Sequence, residues 1–128
     1  MKPKRIQLSR RKGFRLQKHS MALNGLPAVN VARPSKWGNP FAGEGSVKNF
    51  RLCVLAPTTL VLNPAFNDKT VQGRMRKLQE GMNRLAYIPP TTEEIQRELC
   101  GKNLACWCPP NADCHADVLL EIANKETQ

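Results

Sequence analysis

The stretch Cys106–Asp117 constrains the fold of this chain most, because a predicted strand and a predicted helix flank one short turn. The run before the turn, Asn103–Cys108, is apolar and strand-like, and two prolines end it. Residues 114–125 carry apolar side chains at helical spacing, with Asp113 as the expected N-cap. We therefore predict a strand-to-helix corner that presents cysteine and histidine side chains.

Alternating and helical patterns elsewhere predict a small mixed fold. At 128 residues the chain is long enough for one domain with a single buried core. We predict a single α/β or α+β domain over residues 1–128, with a sheet of about three to four strands and a similar number of helices. Residues 1–27 form a basic segment that we expect to be partly flexible, and residues 14–27 fit no regular element. The other predicted elements are strands near residues 5–9 and 28–33, an apolar segment at 47–62 that fits a helix or a strand, an amphipathic helix at about 68–86 and a short helix from Thr92.

Positive charge is concentrated in the first third of the chain. Residues 1–43 contain ten of the twenty Lys and Arg residues and no Asp or Glu, whereas residues 44–128 contain ten basic and ten acidic residues. The net charge of +10 therefore belongs to the first 43 residues. A one-sided basic segment attracts polyanions, so we expect an anionic ligand such as a nucleotide or nucleic acid, or an acidic host protein. The alternative is a solubilising arm.

Cysteine use and hydropathy predict where the protein works. Five cysteines are an odd number, and no apolar signal-peptide core follows the basic N-terminus. No apolar run is long enough to span a membrane. We therefore predict a cytoplasmic protein with reduced thiols and no membrane contact.

The side chains of Cys106, Cys108, Cys114 and His115 allow three interpretations. They have the ligand types of a Cys₃His zinc site, although Cys-x-Cys spacing is unusual for one. Because successive helical residues point about 100° apart, the last two reach one ion only if the turn before the helix is distorted. Alternatively, Cys114 at the helix N-terminus binds an anion or acts as a nucleophile, with His115 as acid or base and Asp117 orienting it or binding a sugar hydroxyl. In the third interpretation the cysteines are small apolar residues of a core.

The loop after the second predicted strand is another candidate for ligand binding. Arg33 and Lys36 can pair with phosphate or carboxylate, and Trp37 can stack on a base or a sugar. Gly38 permits close backbone approach, and Asn39 can hydrogen-bond a base edge. The alternative is a rigid turn whose aromatic side chains lie in the core. If the strands before this loop and before the cysteines are parallel neighbours, both open at one sheet edge and build one pocket.

The loop after the second predicted strand and the cysteine stretch form two sequence boxes, which together resemble a known family. The run RPSKWGNPF, followed by GKNLACWC and CHADVL, is similar to the small phage and bacterial family described as domain of unknown function 4326. The resemblance extends from about Arg5 to Asn124. It implies a phage or bacterial origin, an intracellular setting and a pocket built from these boxes, without an established activity. The positions that match the boxes are Lys36, Trp37, Gly38, Asn39, Pro40, Cys106, Cys108, Cys114, His115 and Asp117.

Two functional hypotheses follow, and the sequence does not decide whether the protein is an enzyme. In the first, a small cytoplasmic protein binds a nucleotide or nucleic-acid phosphate at the corner, with or without acting on it through Cys114, His115 and Asp117. In the second, a non-enzymatic basic module or phage effector contacts nucleic acid or a host protein, and the Cys/His box is structural or binds zinc. Dependence of binding or turnover on Cys114 distinguishes the two.

Overall fold

The computed structural model describes residues 2–33, 35–81 and 87–125. They form two compact units, one of residues 1–31 and 93–128 and one of residues 32–92. The single-domain organisation stays a prediction. In this part of the chain no helix combines the length and the apolar character needed to cross a membrane. The strands are β1 (Arg5–Gln7), β2 (Ala28–Asn30) and β3 (Asn103–Cys106), and the α-helices are α1 (Leu16–Asn24), α2 (Ser46–Leu55), α3 (Lys69–Gly81), α4 (Thr92–Leu99) and α5 (His115–Ala123).

The first unit contains a parallel sheet in the order β1-β3-β2. Ile6 lies opposite Ala105 across one strand pair, and Val29 lies opposite Leu104 across the other. All four residues of the central strand β3 are buried, as expected for a parallel strand that is covered on both faces. The sequence-based prediction of an α/β fold is therefore confirmed.

Apolar side chains of β1, β2 and β3 form the centre of this unit. Ile6, Ala28 and Ala105 pack together and are almost fully buried. Helix α5 contacts both β1 and β3. Its buried face contains Val118 and Leu119, which the helical spacing predicted. Burial of each large aliphatic side chain contributes about 1.5–3 kcal/mol, so this helix is held mainly by packing.

Helix α1 lies in residues 14–27, where the sequence predicts no regular element. Its inward-facing residues Ser20 and Asn24 are polar, so an apolar periodicity is missing. The fully buried Asn103 donates from Nδ2 to Ser20 Oγ and to Asn24 Oδ1, both at 2.7 Å. Asn24 Nδ2 donates back to Asn103 Oδ1 at 2.9 Å. This hydrogen-bonded network replaces an apolar contact between α1 and β3.

The second unit is helical in its described residues. The ambiguous segment 47–62 becomes α2 as far as Leu55 and then a 3₁₀-helix at Pro57–Leu62, because proline does not continue an α-helix easily. A second 3₁₀-helix follows at Pro64–Asn67. Helix α3 confirms the predicted amphipathic helix over Lys69–Gly81, and its predicted continuation over residues 82–86 lies outside the described residues. Its buried residues are Val71, Met75 and Leu78.

Candidate functional site

The corner between β3 and α5 is capped by a cysteine thiol. Cys114 is the N-cap of α5, with an extended backbone (φ −145°, ψ 144°), and its Sγ accepts a hydrogen bond from the Ala116 amide. The prediction that Asp113 caps this helix is wrong, because Asp113 precedes the cap by one residue. Since Cys114 stands outside the helix, the helical divergence of about 100° does not separate it from His115. Its Sγ lies 3.7 Å from His115 Nδ1.

Three of the four predicted metal ligands converge at this corner. One ligand atom each from Cys106, Cys114 and His115 lies within 4.8 Å of the other two, and all three residues are buried. The fourth, Cys108, follows β3 and is only partly buried. Its Sγ lies 3.8 Å from Cys106 Sγ. Cysteine sulfur and imidazole nitrogen at such distances can hold a transition-metal ion.

The His115 ring is held by the backbone of the neighbouring strand segment. Its Nε2 lies 2.8 Å from the carbonyl oxygen of Val31. A carbonyl only accepts, so the hydrogen is on Nε2 and the Nδ1 lone pair is directed towards Cys114. The Val31 amide in turn donates to the Ala105 carbonyl at 2.9 Å, so the backbone of Val31, including the carbonyl that His115 contacts, is attached to the sheet. Metal-binding histidines commonly have such an outer partner.

The thiols at the corner differ in their affinity for protons. A hydrogen bond from the Cys114 thiol lowers the pKa of Cys106 well below the usual value of a thiol. The same hydrogen bond, together with burial, raises the pKa of Cys114. Burial also raises the pKa of Cys108. The group therefore holds one thiolate readily, and a nearby cation favours further ionisation.

Asp117 lies beside Arg5 of β1, and its carboxylate is 3.2 Å from Arg5 Nη1. The Arg5 Nη2 atom also donates to the carbonyl oxygens of Pro109 and Pro110, at 3.0 and 2.8 Å. Arg5 thus joins the basic first strand to the loop between Cys108 and Cys114. Asp117 is half-exposed, so the ion pair with Arg5 contributes little stability by itself.

A basic groove lies along β1 and α1. It has a volume of about 630 Å³, and its lining includes Arg5, Arg11, Phe14 and His19. The Phe14 and His19 rings have their centroids 5.4 Å apart. Outside the groove lining, the guanidinium carbon of Arg10 lies 5.1 Å from the ring centroid of Trp107, which is 46% exposed. Phe14, His19 and Trp107 were not among the predicted ligand-binding residues. The alternation of Trp107 with Cys106 and Cys108 was a signal that its ring faces away from the thiols.

The loop of residues 33–41 lies in the second unit, and its aromatic side chains are buried. Trp37 is 4% exposed, which agrees with the alternative of a rigid turn. Lys36 Nζ lies 4.7 Å from the Trp37 ring centroid. Asn39 accepts from the Phe41 amide at 2.9 Å and donates to the Ser46 carbonyl at 3.2 Å, so it holds the loop. Convergence of this loop with the cysteines into one pocket stays a prediction.

Arg33 and residues of α3 line a cavity of about 320 Å³. We call it the cation cavity, because its described lining is Arg33, Arg74, Lys77 and Leu78. Arg33 was a predicted ligand residue, whereas the two cavity-lining cations of α3, Arg74 and Lys77, were not. Their spacing of three residues, which places both on one helix face, was the available signal.

Comparison with known proteins identifies a family but no activity. No curated protein and no solved structure matches the chain. The model of a family described as a domain of unknown function, DUF4326, matches residues 6–125. This match agrees with the resemblance seen in the two sequence boxes. It spans nearly the whole chain, and the protein therefore belongs to the DUF4326 family.

Proposed function

We propose that this protein is a zinc-stabilised, non-enzymatic module that binds single-stranded nucleic acid. The observation that carries the proposal is the junction at Arg5, which hydrogen-bonds the loop between Cys108 and Cys114 and also lines the basic groove. A metal that orders this loop would also order one wall of the groove. Metal binding by the Cys/His group would then stabilise the basic groove as well.

The distances at the corner support zinc as the metal. A tetrahedral ion with bonds of about 2.3 Å to sulfur and about 2.0–2.1 Å to nitrogen has ligand-to-ligand edges of about 3.5–3.8 Å. The Cys106–Cys108 sulfur pair is separated by 3.8 Å, and Cys114 Sγ and His115 Nδ1 are separated by 3.7 Å. Both separations match edges of such a tetrahedron. Soft thiolates with one imidazole favour zinc over magnesium or calcium.

Addition of Cys108 to the three converged residues would complete a set of four protein ligands, and such a set is typical of a structural metal site. Catalytic zinc sites keep one coordination position open for water or substrate. Here Cys106, Cys108, Cys114 and His115 would fill all four positions. Cys114 and His115 are also 1% and 6% exposed, which limits their access to a substrate. The predicted catalytic role of Cys114, His115 and Asp117 stays a prediction, and burial weighs against it.

The charge and ring pattern of the first unit supports binding of nucleic acid. Residues 2–18 contain eight Lys and Arg residues and no acidic residue. Such a segment contacts phosphates and makes affinity dependent on salt. Phe14 and His19 in the groove, with the exposed Trp107 beside Arg10, offer ring faces for unpaired bases. Basic grooves with aromatic rings are typical of single-strand binding.

Fluorescence anisotropy with a labelled single strand and its duplex, over a range of salt concentrations, tests the proposal. We expect tighter binding of the single strand and a linear fall of log affinity with log salt concentration. Replacing Arg10 and Arg11 together by Ala should reduce this slope by about 1.4, since each phosphate contact on a single strand contributes about 0.7. Trp107→Ala should weaken binding by about 1–3 kcal/mol through lost stacking.

Lys125→Ala is the matched control, because Lys125 is an exposed cation of the same unit outside the basic groove. It should leave affinity and salt slope nearly unchanged. Equal losses in the Lys125 and Arg10/Arg11 variants, or binding that ignores salt, would contradict the nucleic-acid role. Turnover of a nucleotide that disappears in Cys114→Ser and His115→Ala would instead support the enzymatic hypothesis. Salt-insensitive capture of an acidic protein would support the effector hypothesis.

A further inference from the structure

We propose that the cation cavity of the second unit is a binding site for a phosphate monoester. Among the residues that the structure describes, its lining contains the cations Arg33, Arg74 and Lys77, with Leu78 as an apolar wall. All of them belong to residues 32–92. The inference therefore does not rest on the nucleic-acid surface proposed for the first unit.

Local structure holds the two arginines at the cavity. Arg74 donates from Nη1 to the carbonyl oxygen of Phe41 at 3.0 Å, which anchors its guanidinium beside the loop. A Cβ atom on Gly38 would lie 2.5 Å from Arg33 Cγ and 3.0 Å from Arg33 Cα. Only glycine allows this close approach without displacing Arg33. The turn Ser35–Gly38, closed by a 2.9 Å hydrogen bond, thus positions Arg33.

Helix α3 contributes the third cation from the same face as Arg74. Lys77 follows Arg74 by three residues, so the two side chains are neighbours on the helix surface. The next residue, Leu78, is buried and fixes this face relative to the core. Arg33 and Lys77 are solvent-exposed, so an incoming ligand can reach them.

The charge at the cavity favours an anion. No carboxylate lines it among the residues that the structure describes. Like charges that converge repel one another, and an anionic ligand bound among them lowers this repulsion. Guanidinium groups bind phosphate oxygens with paired, charge-assisted hydrogen bonds, and lysine adds a point charge.

The size of the cavity indicates how much of the ligand it encloses. A volume of about 320 Å³ is near the lower end of the roughly 300–1,000 Å³ typical of small-molecule sites. It has room for a phosphate group and a sugar-sized substituent. The phosphate monoester belongs either to a free small molecule, such as a nucleoside monophosphate, or to the 5′ end of a strand.

Isothermal titration of the full chain tests this site. The ligands are inorganic phosphate, a nucleoside 5′-monophosphate, its parent nucleoside, and a dinucleotide with and without a 5′-phosphate. We expect the phosphorylated ligands to bind and the nucleoside not to bind. Arg33→Gln and Lys77→Gln should each weaken monophosphate binding about tenfold or more, as expected for loss of a charge-assisted contact.

Arg76→Gln is the matched control, since it removes an equal charge from an exposed position of α3 that does not line the cavity. Its affinity should remain within about twofold of the parent, because distant surface charges are screened. Preference for the phosphorylated dinucleotide identifies a strand end as the ligand, and preference for the monophosphate identifies a small molecule. Equal loss in the Arg76 and Lys77 variants, or no binding of any phosphorylated ligand, would overturn the inference.

Discussion

His115 Nε2 lies 2.8 Å from the carbonyl oxygen of Val31, while Nδ1 of the same ring lies 3.7 Å from Cys114 Sγ. The first contact decides the tautomer, and the second places the remaining lone pair among the thiols. An imidazole in this arrangement is already oriented as a metal ligand before any ion binds. The relationship explains why a histidine that opens a helix can act together with the cysteine before it.

Replacing His115 separates its role as a ligand from its role in packing. His115→Ala should weaken zinc binding by more than the roughly 10- to 100-fold that loss of an outer partner costs. His115→Cys should recover much of that affinity, because a Cys₄ set also binds zinc tetrahedrally. Competition titration with a chromophoric chelator measures both constants. If both variants bind zinc as the parent does, His115 is not a ligand.

The buried amide network beneath α1 should be important for stability. Asn103 is fully buried and accepts from the Lys4 amide at 2.8 Å in addition to its bonds with Ser20 and Asn24. Asn103→Ala leaves several buried polar groups without partners, so we expect a loss of about 2–4 kcal/mol in unfolding free energy. Asn111→Ala, at an exposed position, should change it by less than about 0.5 kcal/mol. Urea unfolding followed by circular dichroism compares the two, and similar losses would refute the role of the network.

Alkaline pH should destabilise the protein through Cys53. Burial raises the pKa of this thiol from 9.0 to about 12. Because the folded state binds the proton more tightly, this contribution is complete below pH 9 and is lost as the pH rises from 9 to about 12. The slope for one such group is at most about 1.4 kcal/mol per pH unit.

Comparison of the parent with Cys53→Ala over this pH range isolates the effect. The variant should be less stable at neutral pH because of the cavity it creates, but its stability should fall less steeply above pH 9. Burial raises the pKa of Tyr87 in both proteins, and Cys53 raises it further in the parent, so the difference between the two curves reports Cys53 together with its effect on Tyr87. Parallel curves for the two proteins would show that the Cys53 thiol does not titrate with a raised pKa.

Two glycine substitutions should change different properties: one should raise stability, and the other should lower the affinity for a monophosphate. A Cβ at Gly73, inside α3, meets no atom within 4 Å, so Gly73→Ala should stabilise the fold by about 0.4–1 kcal/mol. Gly38→Ala pushes against Arg33 and should weaken binding of a nucleoside monophosphate although no charge is removed. Thermal unfolding and titration calorimetry test the pair. Unchanged monophosphate affinity in Gly38→Ala would show that Gly38 does not position Arg33.

The parts of the fold that apolar spacing controls could be predicted, and those that polar contacts control could not. The inward face of α5 and the buried face of α3 follow from side chains at helical spacing. Helix α1 has Ser20 and Asn24 on its inward face, and the partner that satisfies them, Asn103, is 79 residues or more away in the chain. Local patterns do not contain such a partner.

The candidate site could likewise be predicted only in part. The identities of Cys106, Cys108, Cys114 and His115 were available from the sequence, but the mutual approach of the last two depended on the backbone of Cys114. Within the helix, Cys114 would point about 100° away from His115, whereas the extended backbone of an N-cap residue lets the two side chains approach. The contribution of Arg74 to the cation cavity requires a contact between α3 and the loop at Phe41, which no spacing rule supplies.

Metal content of the purified protein tests the account most directly. Native mass spectrometry after expression with added zinc should show one zinc per chain in the parent and in Cys100→Ser, which changes an exposed cysteine outside the corner. Cys106→Ser should lose the metal, and cobalt substitution of the parent should give the absorption of a tetrahedral thiolate site. A parent protein without zinc, or one that retains equal zinc in Cys106→Ser, would contradict the proposed Cys₃His centre.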